Sequence, residues 1–448
     1  MAGTTHRLER KTPVVLAVND HDPTMLNRTH SRVATFLAVT VVLAGLLLQP
    51  ATTQWALAQS KTNATPYDSV AADGENYAGP ARESTWDETG PILYIGLLAP
   101  LHGPEKADGE ALVAAAQMAL QDSTQSPMPS GRRIKLAIGD ESGPSWGHVS
   151  DVILHLILQQ DVVALITSAN GTDTHVSEQV GNRIGVPILT LSNDATTTQI
   201  DIPWIFRLGP SDTSQAQIIA SNIYQERGMK KALVISEGDH DGRGGVAALQ
   251  QAASSMGAPV PEELVLDPLH PDFPSVITRI QTTPPQAIVL WTQADVAQRL
   301  LPLLQASGIP IPVYLSQQAA QASSGLSLWS PTDKGKSAPN STAAWTIATR
   351  GTVTAARESF ARRYLDRTGR PPSAAAAEAY DAVCLTVRAL RTAGPNRARV
   401  RDQLAKVQDF PGVSGTITFD RQGNNPSPVH LVALRQPMPS TGTGGSAE

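Results

Sequence analysis

The stretch from Asp161 to Asp194 constrains the fold more than any other part of the sequence. A strand-like apolar run, Val162–Ile166, leads into a polar loop, Thr167–Thr174. After a short amphipathic helical segment, a second strand, Pro187–Leu191, leads into another polar loop, Ser192–Thr198. Small side chains let a ligand approach backbone N–H groups at a helix start, where the dipole favours an anion such as a carboxylate. Because parallel strands end at one edge of a sheet, the stretch predicts a solute-binding cleft.

The same alternation of strand-like and helix-like segments continues along the chain, which predicts an α/β fold with parallel sheets flanked by helices. More than ten alternating elements strain a single open sheet, so we expect two lobes. Breaks at Phe206–Gln215 and Ser316–Ala343 are the predicted crossing points, and the segments SGTITFD and HLVALR form a predicted closing strand pair. The predicted first lobe comprises residues 91–209 plus 318–409, and the second comprises residues 210–317 plus 410–436.

The N-terminal region predicts export. Arg28 and Arg32 precede the apolar run Val33–Leu48, and Ala56 and Ala58 provide a small-x-small cleavage site. Residues 1–58 are therefore predicted to be a signal peptide, with an uncleaved membrane anchor as the alternative. Residues 59–90 and 437–448 lack periodicity and are predicted to be a flexible spacer and tail. In either case the rest of the chain lies in the periplasm or another extracytoplasmic compartment.

Composition narrows the classes of function. A net charge of −5 gives no electrostatic footprint for nucleic acid. The single cysteine, Cys384, allows neither an internal disulfide nor a Cys-based zinc site. The histidines are dispersed without the spacing of a metal motif, and no P-loop is present, so we predict no metal and no cofactor.

One short motif points to an enzyme. Gly143–Gly147 matches the G-x-S-x-G pattern of serine hydrolases, centred on Ser145. A nucleophile elbow needs its serine on a sharp turn directly between a strand and a helix, whereas the preceding strand ends near Ile138. We therefore predict no catalytic residue and a protein that is not an enzyme, with a serine hydrolase as an unfavoured alternative.

From about Ile92 to Arg435 the chain resembles the type I periplasmic binding proteins, in particular the branched-chain amino-acid-binding group that serves ABC importers. The segments that carry the resemblance are IGLLAPLHGPEKADGEALVAAAQMAL, IGVPILTLSNDAT, FRLGPSDTSQA, ESFARRYLDRTGRPPS and FPGVSGTITFDRQGN. The resemblance implies two Rossmann-like lobes joined by three crossings, which close on a small solute such as an amino acid. It also implies ABC transporter membrane subunits as partners. A membrane-tethered sensor with the same cleft is the alternative.

The resemblance also implies which residues line the cleft. In the family, loops matching Ala169–Thr174 and Ser192–Thr196 hold the carboxylate of the amino acid, and an acidic residue after a second-lobe strand takes the ammonium. The usual serine falls on Gly171, with Thr172 beside it. The implied ligand-binding residues are Asn170, Gly171, Thr172, Ser192, Asn193 and Asp295, and we add His102 because it lies in the first cleft loop.

Two departures from the family pattern bear on the ligand. Asp108-Gly109 and Asp241-Gly242 stand where the family often has an aromatic residue before a glycine. An aromatic wall contributes apolar contact area, whereas carboxylates favour cations. With Asp108 and Asp241 as ligand-binding residues, we expect a more polar or cationic solute than leucine. The competing interpretation is that both are solvated loop or helix-capping residues.

Overall fold

Alternating strands and helices build two lobes. The computed structural model describes residues 90–143, 146–199, 204–308, 310–321, 345–349 and 354–434. The strands of the first lobe and of the segments that close it are β1 Ile92–Ala99, β2 Arg133–Asp140, β3 Ala164–Thr167, β4 Ile188–Thr190, β5 Ile205–Arg207, β11 Phe410–Pro411 and β12 Thr416–Ile417. The strands of the second are β6 Ala232–Ser236, β7 Glu262–Val265, β8 Ala287–Trp291, β9 Val313–Leu315, β10 Trp345–Thr349 and β13 His430–Leu434.

Helices connect these strands as crossovers. They are α1 Lys106–Ser123, α2 Trp146–Leu154, α3 Gly171–Ile184, α4 Asp212–Ala220, α5 His240–Ser255, α6 Phe273–Thr282, α7 Ala294–Ala306, α8 Ala355–Thr368, α9 Ala374–Ala393 and α10 Arg397–Ala405. Single π-helical turns extend α2 and α4, and a 3₁₀ turn, Ala195–Thr198, follows β4.

The first sheet has the strand order β2-β1-β3-β4-β5, and its neighbouring strands are parallel. Its interior strand β1 is mostly apolar because both faces of the sheet are covered. Leu97 packs into the core formed with α1 and α9, whereas the adjacent Leu98 packs with Ile153 of α2 and Val176 of α3. The strand period of two thus assigns neighbouring leucines to opposite hydrophobic cores.

The second sheet has the order β13-β10-β9-β8-β6-β7 and is parallel apart from the β10–β13 pair. Ile235 and Leu300 of α7 belong to the core on one face, and Val234 and Leu249 of α5 belong to the core on the other. The predicted α/β fold, with parallel sheets flanked by helices, is therefore confirmed.

The end of the chain differs from the predicted arrangement. The segments SGTITFD and HLVALR do not pair, since β12 pairs with β11 and β13 pairs with β10. Ile417 and Phe419 are buried in the core of the first lobe, so apolar burial keeps this segment away from the second sheet. β10 lies in the second sheet, although residues 318–409 were assigned to the first lobe, and residues 410–419 pack with the first lobe rather than the second.

Connections between the lobes run close together. One lies between β5 and α4, and another lies between β12 and β13. They meet where the Arg207 amide donates a hydrogen bond to the Gly423 carbonyl at 2.8 Å. A third connection, between β10 and α8, includes residues 350–353, which fall outside the described part. The two lobes are thus joined beside the carboxyl ends of the strands in the first sheet.

Several predicted features lie outside the described residues: the signal peptide or anchor, the spacer up to residue 89, Ser145 and the C-terminal tail. Among the residues that are described, no helix combines the length and apolarity needed to cross a membrane.

Candidate functional site

Two helix starts face each other across the cleft, one from each lobe. Helix α3 begins after Asn170, whose side chain accepts a hydrogen bond from the Asp173 amide at 3.0 Å. Helix α5 begins after Asp239, whose side chain accepts from the Gly242 amide at 2.8 Å. Each cap thus satisfies one amide of its first turn.

The Asp241 carboxylate from the second lobe occupies the start of α3. Its Oδ2 accepts a hydrogen bond from the Gly171 amide at 3.1 Å and a second one from Gln318 Nε2 at 3.3 Å. Asp241 is buried, and a Cβ at position 171 would lie only 2.2 Å from its Oδ1. The missing side chain at Gly171 therefore makes room for Asp241, and the anion favoured by this helix start is one of the protein's own side chains.

Beside this contact lies a cavity of about 610 Å³ between the lobes. Carboxylates dominate its polar lining, and among the described residues that line it there is no lysine or arginine. Its charged and polar side chains are His102, Glu105, Glu141, Ser142, Asn170, Thr172, Asp173, Asp239, His240, Asp241 and Gln293.

Burial raises the pKa of several of these carboxylates and so disfavours their ionised form. Desolvation raises the pKa of Glu141 to about 8 and that of Asp173 to about 6. It also raises the pKa of Glu105 to about 7, with a further contribution from nearby Asp108, and that of Asp241 to about 6. A cation that enters such surroundings stabilises the ionised form of the carboxylate, because it replaces the hydration that burial has removed.

A second polar cluster closes one side of the cleft. Asp194 Oδ2 lies 2.9 Å from His175 Nε2 and 2.7 Å from His240 Nε2. The other ring nitrogen of His175 lies 2.7 Å from Glu178 Oε2. Hydrogen bonds to Asp194 and Glu178 raise the pKa of His175 to about 10. Since His240 belongs to the second lobe and the others to the first, this cluster joins the lobes.

The structure brings most of the predicted ligand-binding residues together. His102, Asn170, Thr172 and Asp241 line the large cavity. Gly171 touches Asp241, as described above. Asp108 lies on a smaller adjoining cavity of about 40 Å³, which it shares with Glu105.

Besides Gly171 and Asp108, three predicted residues lie outside the lining of the large cavity. Ser192 is buried, and its Oγ accepts a hydrogen bond from the Asp194 amide at 3.1 Å. Asn193 is also buried, and its Nδ2 donates to the Pro210 carbonyl and to Gln317 Oε1, both at 2.8 Å. Asp295 stands in the first turn of α7, from where its charge raises the pKa of Glu105 and of Glu237. Ser192 and Asn193 thus stabilise the loop after β4. Asp295 affects the cavity through its charge, which raises the pKa of Glu105.

The sequence analysis did not predict seven polar residues of the lining, namely Glu105, Glu141, Ser142, Asp173, Asp239, His240 and Gln293. Glu141 directly follows β2 and Gln293 closely follows β8, so both lie at the edge of the sheet where ligands bind. Their position after a strand was the available signal. Glu105 and Asp173 precede or begin a helix, where an acidic residue is commonly a cap.

Comparison with known proteins identifies the family. Residues 93–438, most of the chain, match the family described as periplasmic binding protein. This chain belongs to that family. The type I periplasmic binding protein resemblance is therefore confirmed, together with its two-lobed α/β fold, and the family implies a location outside the cytoplasm.

Proteins similar to this chain bear names that refer to different ligands. A curated relative, the Leu/Ile/Val-binding protein homolog 3 of Brucella melitensis, is 23% identical over 193 residues, which cover 42% of this chain and 51% of that protein. This chain thus spans about half the length of the curated relative. The isoleucine complex of the branched-chain amino acid transporter substrate binding protein LivJ from Streptococcus pneumoniae is 20% identical, with a TM-score of 0.65 over 77% of this chain and 100% of that one.

An ABC transporter solute binding protein from Rhodopseudomonas palustris, in complex with 3,4-dihydroxybenzoic acid, is 15% identical with a TM-score of 0.66 over 78% of this chain and 94% of that one. At these identities the likeness shows the fold. Since one fold carries an aliphatic amino acid in one protein and an aromatic acid in another, the ligand of this member has to be argued from its own residues.

Proposed function

We propose that this periplasmic binding protein captures a small cationic solute, one with amine or guanidinium groups, and delivers it to the membrane subunits of an ABC importer. It acts by closure of the two lobes and performs no chemistry on the solute. The observation that carries the proposal is the cavity lining, in which five carboxylates are present and lysine and arginine are absent among the described residues.

The contact between Gly171 and Asp241 supports the same class of ligand. In the family resemblance, the loop that contains Gly171 holds the carboxylate of a bound amino acid. Here the Gly171 amide already donates to Asp241 at 3.1 Å. A ligand carboxylate at this position would have to displace Asp241 and would meet the other carboxylates of the cavity. A solute that carries positive charge without a carboxylate meets neither obstacle.

Calorimetric titration of the purified mature protein tests the proposal. Putrescine, spermidine and agmatine represent cationic solutes without a carboxylate, arginine represents a cation that carries one, and leucine and benzoate represent the ligand classes of the structural relatives. We expect a cationic compound to bind most tightly and to raise the melting temperature, since a ligand specific to the folded state stabilises it. Tighter binding of leucine or benzoate than of every cation would refute the proposal.

A matched pair of variants locates the binding. Glu105→Gln removes a charge from the cavity at the residue before α1, whereas Glu110→Gln removes one from an exposed position within α1. Loss of a hydrogen bond to a charged group corresponds to a roughly tenfold or larger loss of affinity. We expect that loss for Glu105→Gln and none for Glu110→Gln. Equal affinities in the two variants would place the cation outside the cavity.

A further inference from the structure

We propose that His175, His240 and Asp194 bind a divalent transition metal of the zinc class, and that this ion fastens the two lobes together. The site is separate from the solute proposal and does not depend on it. The two histidines are 65 positions apart in the chain by their numbers, and the fold brings them to one carboxylate.

The three ligand atoms already have nearly the separation that a metal requires. They lie within 4.8 Å of one another, with 2.9 and 2.7 Å from the Asp194 oxygen to the two imidazole nitrogens. Tetrahedral zinc with bonds of about 2.0–2.1 Å separates its ligand atoms by roughly 3.3 Å. Side-chain shifts of about 1 Å would therefore arrange these atoms around an ion.

The surroundings orient the ligands as metal sites do. Glu178 Oε2 lies 2.7 Å from Nδ1 of His175, which directs Nε2 at the cluster. The other oxygen of Asp194 accepts hydrogen bonds from the Thr196 amide at 2.8 Å and from the Thr196 hydroxyl at 2.7 Å. A carboxylate hydrogen-bonded to a ligating histidine holds the ring in place and increases its basicity, and hydrogen bonds to a ligating carboxylate hold that carboxylate in place.

The donor set selects the kind of ion. Two imidazole nitrogens and one carboxylate oxygen suit zinc and its neighbours, whereas Mg²⁺ and Ca²⁺ prefer oxygen ligands throughout. Three protein ligands leave a fourth position for water. Because His240 also lines the large cavity, the proposed site lies next to the solute cleft.

The ion would favour the closed cleft, because its ligands come from both lobes. His175 and Asp194 come from α3 and the loop after β4 in the first lobe, and His240 is the first residue of α5 in the second. Opening the cleft removes His240 from the site. Zinc therefore binds the closed arrangement more tightly than the open one and shifts the population toward closure.

The experiment titrates zinc chloride alone into chelator-treated, solute-free protein. We expect one bound zinc ion per chain by calorimetry, a higher melting temperature and a smaller radius of gyration in solution scattering. Cobalt chloride should give the visible absorption of a tetrahedral ion, and magnesium chloride should give none of these changes. Absence of zinc binding would overturn the proposal and leave the cluster as a set of ion-paired side chains.

Variants separate this site from adventitious zinc. Glu178→Gln should weaken zinc binding by about 10–100-fold, as the loss of a supporting carboxylate does at other sites. His240→Ala should weaken it further and abolish the zinc-dependent compaction. His270→Ala, at an exposed histidine outside the cleft, is the control and should bind like the parent protein. Circular dichroism establishes that each variant is folded, and unchanged affinity in folded His240→Ala would refute the assignment.

Discussion

Gly171 and Asp241 form one packing unit, although they come from opposite lobes. Both positions depart from the pattern of the resembling family, and the structure connects the two departures. A Cβ at position 171 would lie 2.2 Å from Asp241 Oδ1 and 3.0 Å from Asp194 Cβ. A serine at this position therefore cannot coexist with Asp241 in its present place.

A double-mutant cycle tests this dependence. Gly171→Ala alone should destabilise the protein by roughly 1–3 kcal/mol, the usual cost of overpacking a tight site. In an Asp241→Ala background the penalty should fall, since the closest atom has been removed, with a coupling of about 0.5–3 kcal/mol. Urea unfolding measures both penalties. Strictly additive effects would mean that the two residues do not compete for the same space.

The stability of the protein should depend on pH through the buried carboxyl group of Glu141. Burial raises its pKa from 4.5 to about 8, so between these values the folded state holds a proton that the unfolded state has lost. Stability contributed by this group is full below pH 4.5 and falls as pH rises toward 8, by at most about 1.4 kcal/mol per unit.

Glu141→Gln keeps the shape of the side chain and removes the titration. Its free energy of unfolding, measured by urea denaturation from pH 5 to pH 8, should decline less than that of the parent protein. Parallel curves for the two proteins would show that Glu141 does not titrate in this window. Because the substitution changes one buried acid, the difference between the two curves isolates its titration.

The close approach of helix α1 to the loop after strand β1 shapes the cavity. A Cβ at Gly109 would lie 1.8 Å from the Pro100 carbonyl oxygen, a backbone atom that cannot rotate away. Pro100 lines the large cavity, so the position of α1 and the width of the cavity are linked. Only a residue without a side chain lets this helix lie so close.

We expect Gly109→Ala to destabilise the protein by at least about 1–3 kcal/mol, because the helix must move away from Pro100. Gly147→Ala, in α2, is the matched control, since no atom lies within 4 Å of its added Cβ. There the loss of backbone freedom in the unfolded chain should stabilise by roughly 0.5–1 kcal/mol. Thermal unfolding of both variants gives the comparison, and the same sign for both would contradict the packing argument.

Sequence patterns predicted the elements better than their starts. Apolar periodicity predicts a helix at Ala294–Ala306, and α7 has these bounds in the structure. The same pattern predicts a helix only from Gly245, whereas α5 begins at His240, because Asp239 caps a start, residues 240–245, that contains three glycines. Glycines ordinarily favour loops, so the sequence pattern did not reveal that Asp241 lies in the first turn of this helix.

For the whole molecule, the sites depend on contacts between segments far apart in the chain. Gly171 and Asp241 are 70 residues apart, and Asn193 and Gln317 are 124 residues apart. Local patterns record which residues follow a strand, and this suffices to predict a cleft. They do not record which strand end meets which helix start across two lobes, so the histidines of the cleft looked dispersed.

Binding of a cation by the whole cleft should depend on pH in a direction that the buried acids determine. The pKa values of Asp173, Glu105 and Glu141 are raised to about 6, 7 and 8. Below its pKa each group is protonated and neutral. In this form it does not repel the other carboxylates, but it also does not attract a cation. A bound cation favours the ionised forms, so binding releases protons and affinity should rise as pH increases from 6 to 8.

Calorimetry with spermidine in buffers of different ionisation enthalpy counts the released protons. Around pH 7 we expect net proton release, and Glu105→Gln should reduce the number released, whereas Glu110→Gln should leave it unchanged. Ordinary carboxylates are fully ionised in this range, and their affinity for a cation would not change with pH. Binding without proton release would therefore show that the cation contacts exposed acids, and the raised pKa values of the cavity would have no part in recognition.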